Sequence, residues 1–227
     1  MAFFRLRKFA LATSEQGGLQ KPRKWPVQAR SEVTVAALFE ASIQVLLAAG
    51  YRKLTTTRVA ERAGVSVGTL YQYFPNRQAL IICVIERYLE EIVSAIEQTC
   101  QELDGRPLDE LTTGLVDAFI AAKYQRVELS RALHEPLADV GGEQLVRAAA
   151  QRAAGALARS LRDCPDAAFR DEKLPALLMV MACSTLMQIA VIDQALPLER
   201  ITLRAHMRAL VLGYLREAQQ LEPARPD

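Results

Sequence analysis

Gly68, Thr69 and Gln72 stand within one turn of each other in the segment Ser66–Phe74, which holds no charged residue. At about 100° per residue, Leu70 and Phe74 fall on one side of a helix here. Gly68, Thr69 and Gln72 fall on the other, flanked by Tyr71 and Tyr73. A small, polar, uncharged face suits close approach to base edges in a DNA major groove. Gly68 lets the backbone come near, Thr69 can donate, accept or touch a thymine methyl, and Gln72 matches the edge of adenine. Groups suited to phosphate surround it: Thr56 and Thr57 open a predicted helix whose N–H groups and dipole attract anions, Tyr73 offers a phenol hydrogen, and Arg77 a guanidinium. Tyr71 stays open between a groove contact and packing into the domain.

Holding that face in place requires a second helix at a fixed angle, and the residues around it supply one. Thr55 can cap a helix with Leu54 placed to meet Val59, and Ser66 can cap the next with Val65 placed to meet Leu70. Gly64 between them suits the left-handed residue that ends a helix. Two short helices joined by a glycine-containing turn make a helix-turn-helix, although an ordinary αα corner in a helical enzyme has the same spacing. Upstream, from about Gln28, Val35, Leu38, Phe39, Ser42, Val45, Leu46 and Ala49 form the inner stripe of an amphipathic helix that stops at Gly50.

The run LFEASIQVLLAAGYRKLTTTRVAERAGVSVGTLYQYFPNRQAL, Leu38 to Leu80, closely resembles the DNA-binding domain of the tetracycline-repressor (TetR) family of bacterial transcription regulators. Its AGVS, GTLY and aromatic-x-aromatic-Phe steps carry the likeness, which covers roughly residues 28–85. The resemblance implies that Thr56, Ser66, Tyr73 and Arg77 contact phosphates and that Val67, Gly68, Thr69, Tyr71 and Gln72 face the major groove. Val67 rests on the resemblance alone. It also implies an all-α fold: an N-terminal three-helix helix-turn-helix domain over residues 28–76, then a helical effector-binding and dimerisation domain over 77–222. Ahead of both, residues 1–27 read as a flexible basic arm, either a bare leader or a source of DNA contacts through Arg5, Arg7, Lys8, Lys21, Arg23 and Lys24.

Charge and composition agree with a polyanion partner. Net charge is only +2, yet residues 1–80 carry +8 and residues 81–227 carry −6. Such asymmetry fits a basic part that meets a polyanion and a remainder with another task, and equally an incidentally basic, solvated surface. At 51% hydrophobic and 227 residues, the chain can bury a sizeable core. Arg5, Arg7 and Lys8 interrupt the opening apolar residues, so a secretory signal is not expected. Cys83, Cys100, Cys164 and Cys183 form no close pair, and a reduced, cytoplasmic protein is the expectation. His134 and His206 stand apart from any cysteine at ligand spacing, so no metal or other cofactor is expected. Nucleophile-elbow, phosphate-loop and dinucleotide motifs are missing, so the chain does not read as an enzyme.

The remainder reads as helices around 77–101, 108–123, 143–162, 174–195 and 198–220. The uncharged run from Leu174 to Ile192 approaches the ~20 residues of a membrane span. Pro175, Ser184, Thr185, Gln188 and the acidic residues at its ends favour instead a helix buried on nearly all sides, in a core or against another subunit. One short recognition helix reads few base pairs, so a homodimer on an inverted-repeat operator is expected; the resemblance puts its interface on the last two helices. Phe119, Tyr124, His134, Met181 and Met187 are the candidate lining of a small-molecule site. The resemblance implies a repressor released by a small-molecule effector. The alternatives are a constitutive DNA-binding protein or activator, and a helical enzyme or adaptor that does not bind DNA.

Overall fold

The computed structural model describes residues 29–192 and 199–221, and every regular element among them is helical. The basic arm over residues 1–27 lies outside the described residues. Helix α1 spans Ala29–Ala49, and after a 3-10 turn at Tyr51–Lys53 come α2, Thr56–Ala63, and α3, Val67–Tyr73. Helix α4 runs Arg77–Glu102 and α5 Leu108–Gln125. Two six-residue helices follow, α6, Val127–Ala132, and α7, His134–Asp139. Helices α8, Glu143–Arg162, α9, Lys173–Met187, and α10, Arg200–Ala218, complete the order, with a π turn at Gln188–Ile192 after α9.

Two compact units divide the chain: residues up to Glu90 with Glu128–Ala148, and Glu91–Val127 with Ala149 onward. The expected boundary at residue 76 falls elsewhere because the opening turns of α4 bury Ala79, Leu80, Ile81 and Ile85 within the first unit. The segment holding α6 and α7 belongs to that unit as well.

In the first unit, α1 supplies Val35, Leu38, Phe39 and Leu46 to a core completed by Leu54, Val59, Leu70, Phe74 and Leu80, all buried. The Phe39 and Phe74 rings meet edge-to-face, centroids 6.0 Å apart and planes at 69°, a favoured aromatic geometry. Chain reversal between α2 and α3 is set by Gly64, whose φ of 68° is left-handed. Its N–H reaches the Glu61 carbonyl at 3.1 Å and the Val65 N–H reaches that of Ala60 at 3.0 Å. These bonds satisfy carbonyls that the end of α2 would leave bare. Gly64→Ala forces a Cβ into that backbone region and is expected to lower unfolding free energy by about 1 kcal/mol. Urea denaturation monitored by circular dichroism measures it; an unchanged midpoint would show that the turn tolerates a side chain.

In the second unit, α10 is fastened to α5 by Arg208 on Asp109 at 2.9 Å and by a bidentate pair between Arg204 and Asp117. Arg152 of α8 grips Glu97 of α4 with two hydrogen bonds of 2.8 Å. Two stretches, Glu32–Ala49 and Lys173–Ala190, are long and apolar enough to cross a bilayer by length and composition alone. The first lines the core just described. The second meets the core of this chain along one side, so the expected burial on nearly all sides would need another subunit against the other. Ala176, Met179, Val180, Cys183 and Met187 point inward, while Leu174, Leu178, Met181 and Ile189 form an exposed row.

Candidate nucleic-acid interface

Each cap read from the sequence is made. Thr55 Oγ1 accepts the Arg58 N–H at 3.3 Å, which starts α2. Ser66 Oγ accepts the Thr69 N–H at 3.0 Å, which starts α3. Asn76 Oδ1 accepts the Ala79 N–H at 2.8 Å and fixes the opening of α4. These bonds satisfy N–H groups that no earlier turn can reach. They also set the direction in which α3 projects.

Helix α3 is anchored on one side by Leu70 and Phe74, 0% and 2% exposed. Its other side is open: Ser66, Gly68, Tyr71 and Gln72 are exposed, and Val67, Thr69 and Tyr73 half-buried. A Cβ built on Gly68 would meet only Ser66 Oγ, at 3.6 Å, so a large surface can approach the backbone there. The Thr69 hydroxyl lies 2.9 Å from Ser66 Oγ. The Tyr71 hydroxyl lies 3.2 Å from Thr56 Oγ1, so Tyr71 extends across the surface toward the start of α2 instead of packing into the core. Thr57, at the same end of α2, is exposed.

Arg77 sits differently from the other candidate phosphate partners. Its guanidinium carbon lies 4.4 Å from the centroid of the Tyr51 ring. Its Nη2 donates to the Tyr51 hydroxyl at 3.2 Å and lies 3.7 Å from Asp139 Oδ2. The Tyr51 hydroxyl in turn donates to Asp139 at 2.5 Å. Burial, then the hydrogen bond to Asp139, pushes the Tyr51 phenol up to about 12, so it keeps the proton it donates. Nothing local in the sequence joined Tyr51 to Asp139.

The second unit holds a cavity of about 30 Å³ lined by Ile96 of α4, Leu115, Val116 and Phe119 of α5, Leu157 of α8, and Met179, Val180 and Cys183 of α9. Among the five residues expected there, Phe119 lines it. Met187 is buried beyond the lining, and Tyr124 lies under Arg200, 5.0 Å from ring centroid to guanidinium. Met181 and His134 do not belong to this cavity: Met181 is on the exposed row of α9, and His134 is an exposed residue of the other unit. Burial pushes the Cys183 thiol up to about 12, so it stays protonated and acts as apolar lining. Beside Phe119, the Lys123 ammonium lies 5.9 Å from the ring centroid, and burial lowers it to about 8.

An outward-facing second helix on a tightly capped turn, with a separate helical unit holding an apolar cavity, defines a two-unit helix-turn-helix protein. Residues 38–83 match the profile of bacterial regulatory proteins of the tetR family, and residues 107–215 that of the tetracyclin repressor-like C-terminal domain; the chain belongs to the TetR family. An uncharacterized HTH-type transcriptional regulator of Mycobacterium tuberculosis is 28% identical over 125 residues, 51% of this chain and 64% of that protein. The chain thus spans less than two thirds of this relative's length. A TetR-family transcriptional regulator structure from Mesorhizobium loti superposes with a TM-score of 0.65 at 19% identity, covering 84% of this chain and 98% of the other. The regulator FadR of Bacillus subtilis, solved in complex with stearoyl-CoA, superposes with a TM-score of 0.60 at 15% identity, covering 79% and 98%.

Proposed function

We propose that this chain is a cytoplasmic transcriptional repressor that binds an inverted-repeat operator as a homodimer and is released by a small molecule with a substantial apolar part. The observation that carries the reading is the open face of α3, which presents Gly68 and Gln72 to solvent while Leu70 and Phe74 hold the helix from behind. Val67, Gly68, Thr69, Tyr71 and Gln72 are the base-facing set. Thr56, Thr57, Ser66, Tyr73 and Arg77 are the phosphate-facing set. Phosphate contacts fix register, whereas groove contacts carry sequence information.

Gln72→Ala is expected to cost about 1–3 kcal/mol at one base pair of each half-site, the price of a lost bidentate contact. Non-specific affinity is expected to stay unchanged. Selection of binding sites from randomised duplexes shows which outcome holds: preference relaxed at a single position supports the assignment, and an unaltered consensus removes Gln72 from it.

Support for the dimer comes from α9 and α10. The exposed row Leu174, Leu178 and Met181 on α9, continued by Ile189 of the π turn, is matched on α10 by exposed Ile201, Ala205, Ala209, Leu210 and Gly213. A Cβ at Gly213 would meet nothing within 4 Å, which leaves room for a neighbouring helix. Support for an apolar effector comes from the cavity lining. At about 30 Å³ it has room for about two waters, so a larger ligand enters by enlarging it. Enlargement acts on Ile96 of α4, the helix that begins at Arg77. Stearoyl-CoA, the ligand in the Bacillus subtilis FadR structure, belongs in a first screen of compounds that release the operator. A complete screen in which nothing lowers DNA affinity favours the constitutive reading. By linkage, a genuine effector must itself be bound more weakly in the presence of operator, by a coupling of ~1–3 kcal/mol.

A further inference from the structure

Helix α7 presents two carboxylates one turn apart, Glu135 and Asp139, to arginines that flank the helix-turn-helix within the first unit, Arg52 before it and Arg77 after it. Glu135 lies 3.6 Å from Arg52, with both side chains largely exposed. Asp139 lies 3.7 Å from Arg77 and accepts the Tyr51 hydroxyl. The Arg77 side chain is thereby held on three sides: by the face of the Tyr51 ring, by its hydroxyl, and by the Asp139 carboxylate. It is still 35% exposed. A carboxylate and a phosphate are alike to a guanidinium, since both are oxyanions that accept its N–H groups.

We propose that Asp139 is an affinity-setting residue that competes with the DNA backbone for Arg77, so that α7 restrains DNA binding by occupying the guanidinium a phosphate would take. This rests on the DNA-binding reading above and adds the identity of the group that opposes it. Two observations fix the direction of the effect. Asp139 neutralises the charge of Arg77 before DNA arrives. The Tyr51 hydroxyl has one hydrogen, which it gives to Asp139 while accepting from Arg77, so the three groups form a closed set.

Asp139→Asn is the informative variant, because its carbonyl oxygen can still accept the Tyr51 hydroxyl while the negative charge is removed. The probe is a mixed-sequence 30-base-pair duplex, since a phosphate contact is independent of sequence. Its affinity for the full chain is measured across a salt series for wild type, Asp139→Asn, Arg77→Ala and the double variant. The expected result is a two- to fivefold gain in affinity for Asp139→Asn, about the size of one partly exposed ion pair. The log–log salt slope should steepen by up to ~0.9, one further phosphate contact. In the Arg77→Ala background, Asp139→Asn is expected to change nothing further. A gain that persists without Arg77, or an Asp139→Asn protein that binds no better than wild type, overturns this inference alone. A wild-type protein with no affinity for any duplex removes the DNA-binding reading first, and this inference with it.

Discussion

Replacing Leu178 and Met181 together by glutamate is expected to convert the protein to a monomer and to weaken operator binding by about 10²–10⁴-fold. Both side chains lie on the exposed row of α9, 44% and 53% exposed, so two carboxylates there disturb no core packing. Against a partner helix they become four buried charges across a two-fold axis, with like facing like. The loss in DNA affinity is larger than any single contact could produce. A dimer presents its second recognition helix at an effective concentration in the millimolar range, and the affinity gained from linkage disappears when the two copies separate. Sedimentation velocity and operator titration on the same samples measure the two effects, with circular dichroism showing retained helix. A dimer that survives the double substitution would place the interface elsewhere, and a monomer that keeps full operator affinity would dismiss the two-half-site model.

The elements legible in the sequence were those whose cause is local. Thr55, Gly64 and Ser66 act on N–H and carbonyl groups within a few residues, so residue type and spacing disclosed α2, its turn and α3 before any tertiary contact was known. The long helices were legible from period and punctuation, to within a few residues at most ends. Helices α6 and α7 were not. Six residues make fewer than two turns, too short a window to establish a 3.6-residue period, and Pro136 inside α7 argues against a helix unless it falls in the first turn, as it does here.

The cavity shows a different limit. Phe119, Tyr124, His134, Met181 and Met187 were expected for their chemical character, but lining is decided by which side of each helix turns inward. Met179, Val180 and Cys183 face the cavity, and Met181 does not. About 100° per residue separates neighbours on a helix, and a run apolar on every side offers no contrast to set the phase. The pairing of Tyr51 with Asp139 spans 88 residues; it depends on where α7 packs, which no local pattern encodes.

Phe74→Ala is expected to cost about 3–5 kcal/mol, the range for removing a buried aromatic ring, and to abolish DNA binding while leaving the second unit folded. Phe74 ends α3: its N–H closes the last turn on the Leu70 carbonyl at 2.9 Å, and its side chain is 2% exposed. Beyond its burial, the edge-to-face contact with Phe39 adds about 0.5–1.5 kcal/mol. Arg87 sits over the Phe39 ring at 5.5 Å, so the loss reaches across α1, α3 and α4 together. A seven-residue helix cannot persist on its own propensity, because nucleation is unfavourable and too few bonds follow it. Without Phe74, Leu70 is the one fully buried side chain left to hold α3. Hydrogen–deuterium exchange separates this from general destabilisation: peptides over residues 54–85 should exchange faster, and those over 149–187 should keep their protection. Tyr71→Ala is the control on the same helix, since Tyr71 is 43% exposed and its hydroxyl meets that of Thr56; it should leave exchange nearly unchanged and lower DNA affinity only. Equal loss of protection in both peptide groups would show that the recognition helix is not stabilised by a core of its own unit, and the assignment of Phe74 as its anchor would fall.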